Sequence, residues 1–160
     1  MNGVSVIGLG NTEKRDDGVG VFVVEALREE MDAGAWAPEI HKDLSLVSAG
    51  TDSLLAAAHA ADDRWVILVD AARMGLKAGD FRMFSPKNAE LSGRSDGLFP
   101  HDADLVEVLR LMDNLGCSGH VRIMGIQSED LGDGRGLSQQ LQRRLPQMKA
   151  KIKEEVALLP

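Results

Sequence analysis

The chain has 160 residues, 44% of them apolar, and its 18 basic and 25 acidic side chains give a net charge of −7. That length suffices for one domain with a buried core, and the apolar share excludes a disordered chain. The acidic balance argues against nucleic acid as a partner, because such binding rests on Lys and Arg neutralising phosphates. No run approaches the roughly 18 apolar residues of a membrane span. The opening "MNGVSVIGLG" lacks the basic start and apolar length of a secretion signal. Cys117 is the lone cysteine, which fits a reducing compartment. The expectation is a cytoplasmic protein folding as a single domain over residues 1–160, and monomeric, since no long apolar face is left over once the core is assigned.

In chain order, "VSVIGL" (4–9) reads as a buried strand. "DDGVGVFVVEALREEM" (16–31) reads as a helix whose acidic first turn suits the helix dipole. "PEIHKDLSLV" (38–47) reads as a strand, and "TDSLLAAAHAA" (51–61) as a short helix capped by Thr51 or Asp52. "RWVILVDAA" (64–72) is the clearest strand, with Asp70 ending its apolar run. "GDFRMFSP" (79–86) alternates with period two and reads as an edge strand. A polar loop spans 87–100, longer than compact domains keep without a use for it. "HDADLVEVLRLMDNLG" is a helix with Leu105, Val108, Leu109 and Met112 on one stripe. "HVRIMGIQ" (120–127) is a strand, and a C-terminal helix follows, interrupted by Pro146.

Strand–helix alternation predicts a three-layer α/β/α sandwich with an about five-stranded, mostly parallel sheet and one antiparallel edge strand. Such folds bind ligands beyond the carboxyl ends of their strands, so polar residues there are the candidates.

The stretch "GLGNTEKRDDGVG" (8–20) follows the first strand like a phosphate-binding turn. A dinucleotide fingerprint needs a third glycine where Glu13 stands, and Asp16 and Asp17 at the helix start would repel a phosphate. No nucleotide cofactor is expected. Gly8 and Gly10 make the turn and Asp16 caps the helix, which leaves Asp17 open. Asp17, Asp70 and His101 then form a set: two acids beside strand ends, and an imidazole at the end of the long loop. A carboxylate at the end of a buried strand is costly unless capped, paired or ligated. Two carboxylates and an imidazole suit a borderline divalent metal such as nickel or zinc. His41, His59 and His120 fall in strand or helix patterns that need no function. Cys117 precedes a strand, at the opposite sheet edge. No Gly-x-Ser-x-Gly elbow, His-Glu-x-x-His pair or Cys-x-x-Cys pair occurs.

"GLGNTEKRDDGVG", "VDAARMGLKAGDFRMFSP", "PHDADLVEVL" and "RIMGIQSEDLG", in that order, resemble the [NiFe]-hydrogenase maturation proteases over nearly the whole chain. The resemblance implies an aspartic-type endopeptidase that removes a C-terminal extension from the hydrogenase large-subunit precursor after nickel insertion. It implies that Asp17, Asp70 and His101 contact the nickel, which the substrate carries, and that Asp17 and Asp70 are catalytic. Cleavage in such a site would use a water, with two routes open: polarisation by the metal, or activation by Asp17 or Asp70. Ser48, in "SAGT", stands where many members carry an acid. Gln127 is a further candidate for lining the cleft. A non-catalytic nickel-binding maturation chaperone would share this site; a dinucleotide-binding module is the other alternative.

Overall fold

The alternating side chains of the strands decide which helices cover which face of the sheet. A computed structural model describes residues 3–38, 43–87, 102–117 and 119–160. Within them run β1 (Val4–Leu9), α1 (Val19–Asp32), β2 (Leu44–Gly50), α2 (Ser53–Asp62), β3 (Trp65–Ala72), β4 (Phe81–Phe84), α3 (Asp102–Asn114), β5 (His120–Gln127) and α4 (Gln139–Ala157). A 3-10 turn, Arg15–Gly18, leads into α1. The strand order is β2-β1-β3-β5-β4. β1 pairs in parallel with β2 and β3, and β3 with β5, while β4 runs antiparallel along β5 at the edge. The expected α/β fold, with one antiparallel edge strand, is the one observed.

Val4 and Val6 of β1, with Ile67, Val69 and Ala71 of β3, pack against Val19, Val23, Val24 and Leu27 of α1 and Leu141, Met148, Ile152 and Val156 of α4. The intervening Ile7, Leu9, Val66, Leu68 and Ala72 meet Ala56, Ala57 and Ala60 of α2 and Leu105, Val108 and Met112 of α3. Cover on both faces explains why β1 and β3 read as nearly continuous apolar runs. Each fully buried Leu, Ile or Val side chain contributes about 1.5–3 kcal/mol. Among the described residues, no helix is long and apolar enough to cross a membrane.

Several boundaries differ from the sequence reading. The second strand is Leu44–Gly50 rather than 38–47, and residues 39–42 lie outside the described part. It extends through Ser48 and Gly50, poor strand formers, because Gly8 and Leu9 of β1 pair with them across a small irregularity. α1 starts at Val19, because the residues before it form the 3-10 turn. β3 passes Asp70 and ends at Ala72, held by β5 through the pairs Asp70–Gly125 and Ala72–Gln127. α4 continues through Pro146. The polar loop lies outside the described residues from 88 to 100.

Asp52 caps α2, its carboxylate accepting from Leu55 N at 2.9 Å. Asp52→Ala is expected to cost about 1 kcal/mol. A chain of this size should then melt about 2–4 °C lower in a calorimetric scan, with activity intact.

Candidate active site

Two glycines bring the start of α1 onto the sheet. A Cβ on Gly20 would stand 2.0 Å from Val69 O and 2.7 Å from Leu9 O, so the first turn of α1 rests on the backbones of β3 and β1. Dinucleotide-binding turns obtain that close approach from their third glycine. Here Gly20 supplies it, and Glu13, at the fingerprint position, lies in solvent beside Arg135 at 3.6 Å. Gly10 turns the chain after β1 with φ 108°. A Cβ there would meet Asp17 O at 1.9 Å and Asp70 Oδ1 at 3.4 Å. The Asp17 backbone and the Asp70 carboxylate therefore border the same glycine, although 53 residues (70 − 17) separate them in sequence.

Asp17 is fully buried in the 3-10 turn, and its Oδ2 accepts from Asn11 N at 2.7 Å. Asp70 is 2% exposed, and its Oδ1 accepts from Ala71 N at 2.8 Å. Along β3 it shares the parity of Leu68 and Ala72, which pack on the side of α2 and α3. Burying carboxylates costs several kcal/mol each unless the surroundings compensate. A protein that keeps two of them at the carboxyl edge of its central strands holds them at the place where this fold class binds ligands.

Asp16 corrects the sequence reading. It does not cap α1: the N-cap position is Gly18, with no side-chain cap bond. The Asp16 carboxylate instead accepts from Glu129 N, Asp130 N, Ser138 N and Ser138 Oγ, in the segment between β5 and α4. Partners so far along the chain leave no local pattern, so nothing in the sequence signals this role.

His101 lies outside the described residues, as does His41. α3 begins at the residue after His101. Among the described residues, no group of three or more His, Cys, Asp or Glu side chains is placed to hold a metal ion. Gln127 braces the loop after β3: its Oε1 accepts from Met74 N at 2.7 Å and Leu76 N at 3.3 Å. A cleft of about 330 Å³ opens beside the site, with Asn11, Glu25, Ser48, Thr51 and Arg135 in its wall. A larger cavity of about 520 Å³ lies by Leu109, Met112 and Cys117. Burial pushes the Cys117 thiol up, away from the reactive thiolate. Cys117 precedes β5, at the sheet edge opposite the aspartates, and behaves as a small packing residue. His120 stacks on Trp65 at the same far edge, with ring centroids 4.3 Å apart. His59 is exposed on α2.

A mostly parallel sheet with acids at its carboxyl edge defines an α/β protein with a strand-end site. The HycI family of hydrogenase maturation proteases matches residues 21–155. No curated protein matches the sequence significantly. Among solved structures, the chain resembles the [NiFe] hydrogenase maturation protease HybD from Thermococcus kodakarensis, with TM-score 0.74 and 23% identity over 98% of this chain and 99% of that one. It also resembles the hydrogenase maturating endopeptidase HybD from Escherichia coli, with TM-score 0.75 and 20% identity over 95% and 90%. The maturation protease HycI from Thermococcus kodakarensis gives TM-score 0.69 and 22% identity over 98% and 92%. At these identities the structures speak for the fold, and the family match speaks for descent. The chain belongs to the hydrogenase maturation protease family and is a peptidase, a hydrolase.

Proposed function

We propose that this peptidase removes a C-terminal extension from the large-subunit precursor of a [NiFe] hydrogenase once nickel is in place. The observation that carries the reading is a pair of buried aspartates at the carboxyl edge of the sheet, the Asp17 backbone and the Asp70 carboxylate bordering the same glycine. In this reading, nickel arrives as part of the substrate. Asp17 and Asp70, with His101, dock onto it. Two carboxylates and an imidazole are a donor set that suits such an ion. A precursor without nickel offers these residues nothing to bind, so the metal acts as a checkpoint. Cleavage uses a water polarised by the substrate's metal or activated by one of the two aspartates.

The cleft beside Asn11 and Thr51 receives the extended tail in this proposal. Ser48 stands in its wall. Arg28 reaches Ser48 Oγ at 3.5 Å and donates to Leu46 O at 2.6 Å, so this wall is neutral at Ser48 and braced from α1. The lone cysteine fits a reducing compartment such as the cytoplasm, and the net charge of −7 suits a monomer.

The test is incubation of the purified chain with nickel-loaded and nickel-free precursor, read by intact mass. Shortening of the loaded precursor alone is the expected result. Binding without shortening would replace the protease by a nickel-binding chaperone. Equal cleavage of both forms would remove the checkpoint.

A further inference from the structure

The sequence sets two aspartates side by side, and the proposed chemistry uses only the second. Asp16 is 0% exposed. Its Oδ1 accepts from Ser138 N at 2.7 Å; its Oδ2 accepts from the Glu129 and Asp130 amides at 2.9 Å each and from Ser138 Oγ at 2.8 Å. The main chain continues this seam. Asp16 N donates to Asp130 O at 2.9 Å, Arg15 N to Gly134 O at 2.8 Å and Gly134 N to Glu13 O at 2.9 Å. Lys14 pairs with Asp133, and Arg135 with Glu13, along its outer side. Arg15 has φ 47°, a left-handed conformation that a non-glycine residue keeps only where its surroundings hold it. One side chain thus gathers both ends of the segment between β5 and α4 onto the turn that bears Asp17.

We propose that Asp16 is a positioning residue, whose carboxylate clamps segment 128–138 to the turn 14–17 and so fixes where the Asp17 carboxylate stands relative to Asp70. The inference rests on the site reading given above for Asp17 and Asp70. Three N–H donors and one O–H donor converge on Asp16, and only a carboxylate accepts at both of its ends. An asparagine there turns its own N–H₂ toward at least one of those donors, so the seam must open locally. Residues 16 and 17 share a peptide bond, so a displaced Asp16 carries Asp17 with it. Misplacing a reacting group by about an ångström costs roughly a hundredfold in rate. A purely structural Asp16 would instead lower stability and leave the folded fraction fully active.

The experiment compares Asp16→Asn, Ser138→Ala and Val156→Ala with the parent chain. Ser138→Ala removes the hydroxyl bond and keeps the backbone donors. Val156→Ala creates a core defect near the end of α4, far from the turn. Each variant is assayed well below its Tm on nickel-loaded precursor, with precursor affinity and amide hydrogen exchange measured separately. In Asp16→Asn, kcat is expected to fall roughly a hundredfold with precursor Kd within about threefold of the parent. Exchange should rise in 13–17 and 128–138, with α1 protected as before. Ser138→Ala should fall between the parent and Asp16→Asn. Val156→Ala should lose Tm and keep kcat. A folded Asp16→Asn with parental kcat overturns the clamp, as do rate losses that follow Tm equally in all three variants. Should Asp16→Asn not fold, Ser138→Ala decides: a lowered kcat at near-parental Tm supports the clamp, and an unchanged kcat overturns it. Active Asp17→Asn and Asp70→Asn would instead sink the site reading itself.

Discussion

Asp70→Asn is expected to abolish processing of the nickel-loaded precursor, lowering the rate by at least about a thousandfold, while the fold stays intact. Asparagine matches aspartate in volume, so the packing of β3 against β1 and β5 has no reason to change. The amide oxygen can still accept from Ala71 N, the bond Asp70 Oδ1 makes at 2.8 Å. What changes is one carboxylate oxygen, replaced by an amide N–H₂, in a position that is 2% exposed. A buried amide is cheaper to desolvate than a carboxylate, so Tm should stay within a few degrees of the parent. Lost function at unchanged stability separates a working carboxylate from a structural one. Asp17→Asn should behave alike, and His101→Ala should be inactive if the imidazole completes the set. The measurements are intact mass of the precursor over time and a thermal melt of each variant. Parental processing by Asp70→Asn would take Asp70 out of the site, and with it the reason for placing nickel there.

Asp16→Asn supplies the contrast. The two neighbours have the same chemistry and the same burial, yet they differ in what their oxygens meet. Four donors from one distant segment converge on Asp16. Composition and spacing could not separate them, because hydrogen-bond partners more than a hundred residues away leave no periodic trace. β3 was legible for the opposite reason. A strand buried on both faces is an unbroken apolar run, and a carboxylate within it stands out. The edge strand β4 showed itself by alternation: Phe81 and Met83 pack on one side of the sheet, and Arg82 between them is exposed. β2 was misplaced because its end is dictated by pairing with Gly8 and Leu9, which outweighs the weak strand propensity of Ser48, Ala49 and Gly50. The glycine turn was legible as a turn. That Gly20, rather than the fingerprint position, carries the helix–strand contact depends on backbone approach in three dimensions.

Gly10→Ala should produce the largest combined loss of stability and activity. Two separate penalties meet at this position. The first is conformational: φ 108° lies beyond the left-handed well that Asn or Asp tolerate, and holding an alanine there costs about 1–3 kcal/mol. The second is steric: the new methyl would lie 1.9 Å from Asp17 O, a backbone atom that no rotamer change can move aside. The turn must therefore shift, and that shift separates the Asp17 backbone from Asp70, whose Oδ1 lies 3.4 Å from the same point. A total cost of about 3 kcal/mol or more is expected, seen as a Tm lowered by at least about 6 °C. Gly34→Ala isolates the first penalty. Gly34 has φ 73° at the end of α1, and nothing stands within 4 Å of where its Cβ would be. That variant should lose about 1–2 kcal/mol and process precursor at the parental rate. Folded Gly10→Ala, assayed well below its lowered Tm, should remain nearly inactive, because the displaced turn persists in every folded molecule. If its activity per folded molecule equalled that of Gly34→Ala, the distance between the Asp17 turn and Asp70 would be irrelevant to catalysis. The shared glycine would then be only a feature of the fold.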